Sequence, residues 1–395
     1  MELDSLFEDS VIARRHNGYV LLFNREEGSW IKLSEKLYNN VCWYFQNNEK
    51  IDDRYNALLD ELNNKQMLKA ANRNKKLENV AVMLTNRCNL SCKHCCASQI
   101  MSEKDISFDI VRKVVELNPH QICITGGEPL LYKNIEEVLK FIKKHYNGKL
   151  LLATNGLLVN KYIDMIVKYF DKVEISIDGL NDDETSRYRE RGVFKCVLDA
   201  VKMLKDNGLR VAISLVTYDG HETEEFNKLN EEYGTVPILR SLFINDRVIE
   251  NIDKIIPGGE EQYIKVMKEV IENQEQGEKL CTCGSVSYQI LIDSEGYVYP
   301  CGGLAEEDFK IGNILVDDIS DLVKYHSGKY YGEIISKMLS NEKFSKCRNC
   351  IVREFCWTCL SEVLSKSMYN EVFEAFCDMN YKKWNKIVWE NKGKK

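Results

Sequence analysis

Leu84-Thr-Asn-Arg-Cys88-Asn-Leu-Ser-Cys92-Lys-His-Cys95 is the stretch on which the reading of this chain turns. Its cysteines are spaced Cys-x3-Cys-x2-Cys on one short loop. Three thiolates on such a loop suit three irons of a [4Fe–4S] cluster and leave the fourth iron without a protein ligand. An open iron binds and reduces a ligand, whereas a fully ligated cluster mainly carries electrons. The loop leaves an apolar run that reads as a strand, and from there strands alternate with helices. The strands are predicted at Val80–Leu84, Gln121–Thr125, Leu150–Ala153, Val173–Ile177, Val211–Val216 and Pro237–Phe243. Between them, Ile110, Val114 and Leu117 share one helical face, and Ile135, Val138, Leu139 and Ile142 share another. Six βα units imply an α/β fold, a parallel sheet curled into a partial barrel. Sites of such barrels gather at the C-terminal ends of the strands, where the cysteine loop lies.

With that loop and barrel, the chain resembles the radical S-adenosylmethionine (SAM) enzymes. The resemblance implies that Cys88, Cys92 and Cys95 hold a cluster whose open iron chelates SAM. One electron then releases a 5′-deoxyadenosyl radical, with the cofactor carrying the hard chemistry. The residue before the third cysteine is usually aromatic in this family; here it is His94, whose flat ring would still stack near adenine. Thr125-Gly126-Gly127-Glu128-Pro129-Leu130 follows the second strand, and the resemblance assigns Gly126, Gly127, Glu128 and Pro129 to the SAM amino group. Asn155 ends the third strand, and Ser176 and Asp178 end the fourth; by resemblance they lie near the ribose and carboxylate. One of Arg187, Arg189 and Arg191 is expected to pair with that carboxylate. Asn-Gly and Asp-Gly are also ordinary turn pairs. Leu215 and Val216 either line the adenine pocket or are plain core.

Composition narrows the class. The 395 residues allow two or three domains, and 44% hydrophobic content allows real cores. A net charge of −7 with acids and bases well mixed argues against a nucleic-acid partner. No signal peptide or membrane segment is read, so the expected location is cytoplasmic. Fifteen cysteines there point to metal or catalysis instead of disulfides, and six scattered histidines leave sulfur as the main ligand. Cys42, Cys96, Cys123 and Cys196 fit no motif and are expected to be small core residues.

The remaining cysteines concentrate at the C-terminal end. Cys281 and Cys283 come first, then a hairpin over Ile290–Cys301, then Cys347-x2-Cys350-x5-Cys356-x2-Cys359, and finally Cys377. This array resembles the SPASM domain of radical SAM enzymes that modify peptides and proteins, though its last short spacing is two residues where that family has three. The resemblance implies two auxiliary [4Fe–4S] clusters, three in all with the SAM cluster. Cys283, Cys301 and Cys359 would hold the first, with Cys281 as fourth ligand or an iron left open to a substrate thiolate. Cys347, Cys350, Cys356 and Cys377 would hold the second. A zinc site on Cys-x2-Cys…Cys-x2-Cys is the competing reading. Clusters are expected to substitute here for a large apolar core.

Three units follow: 1–70, 79–275 and 280–395. In the first, Gly18–Asn24 and Ser29–Leu33 read as strands, Ser34 as a helix cap, and Tyr55–Leu62 as a second helix. It resembles the winged-helix peptide-recognition element of ribosomal peptide pathways, like the chaperone of pyrroloquinoline quinone biosynthesis. Such elements capture a leader peptide as an added strand. The whole then reads as a peptide maturase forming a cysteine thioether of sactionine or ranthipeptide type, with flavodoxin or ferredoxin as electron donor. Carbon–carbon cross-linking and epimerisation are alternatives. A formylglycine-forming sulfatase maturase is disfavoured, because Gly302 stands where those enzymes carry an aspartate base. A non-catalytic electron carrier is disfavoured by the open three-cysteine loop.

Overall fold

The computed structural model describes residues 6–8, 10–47, 49, 52–69, 77–100, 103–220, 223–273 and 288–390. Cys281, Cys283 and the linker read at 72–76 lie outside them.

Val11–His16 (β1), Tyr19–Asn24 (β2) and Ser29–Ser34 (β3) form an antiparallel sheet in the order β1-β2-β3. β1 was not anticipated, because Arg14 and Arg15 break its apolar alternation. The missed signal is Asn17-Gly18, both at positive φ (47° and 75°), which is the pair a two-residue hairpin requires. Ser34 caps Glu35–Gln46 (α1), its hydroxyl accepting from the Leu37 N–H at 3.2 Å, and Asn56–Asn64 (α2) follows. One face of β2 (Val20, Leu22) packs with Leu33, Tyr38, Val41 and Leu62. The other (Leu21, Phe23) packs on Val352, Phe355, Trp384 and Val388 from the far end of the chain. β2 is therefore buried on both sides.

The main sheet begins with Asn79–Met83 (β4). It continues through Phe108–Glu116 (α3), Gln121–Thr125 (β5), Ile135–His145 (α4), Lys149–Thr154 (β6), Val159–Tyr169 (α5) and Lys172–Ser176 (β7). Asp182–Tyr188 (α6), Val193–Asp206 (α7), Arg210–Thr217 (β8), Thr223–Tyr233 (α8) and Val236–Ser241 (β9) complete the six anticipated units. β4 to β9 pair in parallel in sequence order. Continuous apolar strands buried under helices on the outer face are what a parallel sheet demands, and Val80, Ile122, Leu150, Val173 and Val211 sit in that core.

Asp246–Ile249 (α9), Ile252–Ile255 (α10) and Gly259–Asn273 (α11) follow. The hairpin Gln289–Ile292 (β10) and Tyr297–Tyr299 (β11) then joins the main sheet: β10 runs parallel to β4, and Gly312–Asn313 (β12) completes nine strands. The rest is helical: Ile319–Ser340 (α12), Arg353–Cys356 (α13), Leu360–Lys366 (α14) and Asn370–Trp384 (α15). The expectation of a core-poor C-terminal region fails. Leu242, Val248, Tyr263 and Ile271 pack with Phe344, Trp357, Val363, Val372 and Phe373 in a second large core. The sequence hid it because nine of its 23 buried members precede the cysteine array. Among the described residues no helix is long and apolar enough to cross a membrane.

Candidate active site at the C-terminal ends of the strands

A cavity of about 790 Å³ opens where β5 to β9 end. Its wall includes Cys88, Cys92 and Cys95, then Gly126 and Gly127, Asn155, Ser176, Asp178 and Arg189. Residues far apart in sequence meet here because parallel strands deliver all their C-terminal ends to one side.

The glycine segment is shaped by the cysteine loop. Gly126 has φ +152°, and a Cβ there would stand 2.4 Å from the Thr85 carbonyl oxygen. The Gly127 N–H donates to that same oxygen at 2.9 Å, and the Glu128 N–H donates to the Arg87 carbonyl at 2.8 Å. Gly126 is thus required by the backbone of the loop. Glu128 is fully buried. Its carboxylate accepts from the Thr154 hydroxyl at 2.8 Å, the Asn155 N–H at 2.9 Å and the Leu130 N–H at 3.1 Å. Burial raises its pKa, and these donors oppose the rise. Pro129 begins a short turn behind it and is buried. Asn155 also donates from Nδ2 to Asn89 Oδ1 at 2.7 Å, tying β6 to the loop.

Asp178 lies at φ +54° and is 1% exposed. Its Oδ2 meets Arg189 Nε at 2.6 Å and His94 Nε2 at 3.0 Å, while Oδ1 accepts from the Val216 N–H at 3.1 Å. Burial works against the charge, but Arg189 and His94 outweigh it and hold this carboxyl far below the usual range. Of the three candidate arginines, Arg189 is the one on the cavity wall; Arg191 pairs with Asp183 at the surface. His94 is held between Asp178 and Tyr188, its ring edge-on to the tyrosine at 5.2 Å between centroids. The Ser214 hydroxyl donates to Ser176 Oγ at 3.2 Å, and both face the cavity. Val216 lines the cavity, whereas Leu215 is fully buried core.

Several anchors of the loop were invisible in the sequence. Arg247 Nε donates to the Cys92 carbonyl at 2.7 Å and its Nη2 to Ser91 Oγ at 2.9 Å. Asn245 Nδ2 donates to the Cys95 carbonyl at 3.1 Å. Both residues sit at the start of α9, about 150 positions downstream, where no local pattern marks them. Cys96 and Cys196 are exposed, not core as expected: Cys96 opens onto the cavity beside Cys95.

The residues fit a cluster. The thiols of Cys88, Cys92 and Cys95 share one wall and act electrostatically on one another. Burial pushes Cys92 up to about 11 while the Arg189 charge pulls it down, so loading iron must displace protons. Among the described residues no three of His, Cys, Asp and Glu converge on a single metal ion. A [4Fe–4S] cube, which places each thiolate on a different iron, does not ask them to.

In the C-terminal region the thiols of Cys347, Cys350, Cys356 and Cys377 act on one another. Cys359, which a zinc reading would group with the first three, instead lines the cavity with its sulfur 3.3 Å from Ser361 Oγ. Cys301 lies near Cys96. The short-range cysteine pattern is thus split in space, and Cys377 on α15 joins the other three.

The radical SAM superfamily model matches residues 82–232, and the SPASM model, an iron–sulfur cluster-binding domain, matches 281–351. The subtilosin biosynthesis protein AlbA of Bacillus subtilis is 26% identical over 328 residues, 74% of this chain and 72% of that protein. The mycofactocin maturase MftC of Mycolicibacterium smegmatis is 24% identical over 296 residues, 68% of this chain and 74% of its own. The crystal structure of Streptococcus suis SuiB superimposes with a TM-score of 0.53 at 14% identity, over 91% of this chain and 96% of SuiB. The two domains imply a SAM-binding [4Fe–4S] cluster and auxiliary iron–sulfur clusters. The chain is therefore built as a radical SAM domain on a parallel α/β sheet, carrying a SPASM domain at its C-terminal end.

Proposed function

We propose that this chain is a maturase of ribosomally made peptides that installs a cysteine thioether in a precursor peptide. The observation that carries this reading is the continuous cavity wall from the Cys88–Cys95 loop to Cys359 and α14. A peptide side chain seated there faces both halves of the site at once. Relatives named as a bacteriocin biosynthesis protein and a maturase support the substrate class, as does SuiB, whose structure has been determined with the precursor peptide SuiA bound.

The cofactor reading assigns three [4Fe–4S] clusters. Cys88, Cys92 and Cys95 would hold the SAM-binding one. Cys283, Cys301 and Cys359 would hold the first auxiliary cluster, with Cys281 or a substrate thiolate as the fourth ligand. Cys347, Cys350, Cys356 and Cys377 would hold the second. When bound, the first cluster and SAM supply the hydrogen-abstracting radical. The chain's own residues position the reactants. Gly126 and Gly127 bring backbone close to the ligand, and Glu128 and Pro129 fix that turn. Asn155 holds the cysteine loop against β6. The Ser176–Ser214 hydroxyl pair suits a ribose. Asp178 fixes Arg189, whose guanidinium suits a carboxylate. Arg240, Tyr218 and Phe243 contribute wall on the side built from β8, β9 and the segment after them, and would orient the peptide.

The units 1–70, 79–275 and 280–395 would divide the labour, the first binding the leader by strand addition to its sheet. Flavodoxin or ferredoxin would donate electrons, in the cytoplasm. The test is anaerobic co-expression with a short cysteine-containing precursor, alkylation of free thiols, and mass spectrometry. Loss of two hydrogens per bond with cysteines protected from alkylation is the expected result. The same loss with every thiol alkylated would mean a carbon–carbon link. An unmodified peptide beside active SAM cleavage would overturn the cross-linking reading for that substrate. Replacing Cys88, Cys92 and Cys95 with alanine should abolish formation of 5′-deoxyadenosine.

A further inference from the structure

The N-terminal unit does more than pack against the C-terminal region. Glu354, on α13 and two positions before Cys356, has a side chain only 2% exposed. A carboxylate that deeply buried needs charge partners. Its Oε1 receives Arg14 Nη2 at 2.6 Å and Arg14 Nε at 2.9 Å, from β1 of the N-terminal unit. Arg353 Nη2 adds a third contact at 3.1 Å, and Arg25, at the end of β2, also acts on this carboxylate. Three arginines therefore act on one buried glutamate, with Glu26 as a second carboxylate beside Arg25.

Adhesion alone does not call for so many charged groups. Phe23 and Trp30 already seal the interface edge-on to Phe355, at 5.2 and 5.8 Å between ring centroids. The charge lies beside the cysteine group of the C-terminal region. The Arg14 charge acts on the Cys350 thiol, and the Arg353 N–H donates to the Cys350 carbonyl at 3.5 Å. Arg353 Nη1 approaches the Cys347 carbonyl at 3.4 Å. Iron–sulfur potentials respond to net charge, hydrogen bonds to the sulfurs and exposure. Of these levers, the interface supplies charge.

We infer that Arg14, anchored by Glu354, is a positioning residue of the second auxiliary centre, through which the N-terminal unit sets that centre's reduction potential. The inference rests on the reading of Cys347, Cys350, Cys356 and Cys377 as ligands of one cluster. Reduction adds one electron to the centre, so a nearby cation favours the reduced form and a nearby carboxylate the oxidised form. β1 is an edge strand, so a peptide strand added beside it would lie next to the residue that carries this charge. Peptide capture and electron flow would then share a side chain.

The test is an EPR-monitored potentiometric titration of the full-length, iron-loaded protein. It is run in a Cys88→Ala/Cys92→Ala/Cys95→Ala background, so that only auxiliary centres remain. Arg14→Gln should raise the oxidised-to-reduced ratio of one auxiliary centre at fixed ambient potential by about tenfold, a shift of about 59 mV for a one-electron couple. Glu354→Gln should shift the same centre in the opposite direction, and Arg14→Lys should restore most of the parent value. Opposite signs are the decisive readout, because both Gln variants weaken the same contact. Shifts of equal sign, or none, in centres that are present would overturn the inference and leave the cluster reading intact. No auxiliary signal in the parent, with iron absent by analysis, would overturn both.

Discussion

Replacing Gly126 with alanine should be among the most damaging single-methyl additions in this protein. The added Cβ would stand 2.4 Å from the Thr85 carbonyl oxygen and 3.3 Å from the Thr85 nitrogen, both backbone atoms that no rotamer change can move. Forced overpacking costs about 1–3 kcal/mol, and holding a non-glycine residue at so unusual a φ costs about 1–3 kcal/mol more. The sum, about 4 kcal/mol, is a large part of a typical domain stability of about 5–15 kcal/mol. Thr85 also begins the cysteine loop, so the strain is passed to the proposed cluster ligands. Gly302→Ala is the matched control, because nothing stands within 4 Å of its added Cβ. Its cost should stay within about 0.5 kcal/mol. Thermal unfolding and SAM binding by equilibrium dialysis, measured anaerobically on both variants, decide the matter. The expected outcome is a drop of several degrees in Tm with lost SAM binding for Gly126→Ala alone. Indistinguishable Tm values and retained binding would refute the close-approach argument.

Other expectations follow from particular contacts. Asp178→Asn removes the counter-charge of buried Arg189 and should cost about 3–5 kcal/mol. The Asp178 carboxyl is held below its ordinary pKa, so its stabilisation is complete above the unfolded-state value and is lost only as pH falls. The penalty should therefore shrink at acid pH, as read by urea unfolding; a penalty undiminished there would contradict the pairing. Thr154→Val deletes the hydroxyl that donates to buried Glu128 at 2.8 Å and should cost about 1–3 kcal/mol by the same assay. Phe355→Ala empties the seam between the N-terminal sheet and the C-terminal helices, with an expected cost of about 3–5 kcal/mol. Limited proteolysis should then release the N-terminal unit, which the parent protein should resist. Cys359→Ala and Cys377→Ala should each lower bound iron; equal and full iron content in both would remove them from the proposed ligand sets.

Local chemistry decided much of this molecule, and that part was open to reading. The Cys88–Cys95 loop carries its proposed cluster assignment in spacing alone, since one short loop fixes the three thiols near each other whatever surrounds them. The six parallel strands were legible to within two residues at their ends, because short apolar runs between helical patterns leave a direct trace in sequence, even where, as in β9, the strand stays largely exposed. The Ser34 cap was legible for the same reason: its partner, the Leu37 N–H, is three residues away. Where contacts span the chain, no such trace exists. Spacing alone groups Cys359 with Cys347, Cys350 and Cys356; the division that puts Cys377 in its place came only from the SPASM resemblance, because the segments it joins are distant in sequence. The entry of β10 beside β4, Arg247 on the cysteine loop and Arg14 on Glu354 each depend on where distant backbone happens to lie. A buried ion pair between positions 14 and 354 is fixed by burial and geometry in three dimensions, and neither residue's neighbours in sequence carry any record of it.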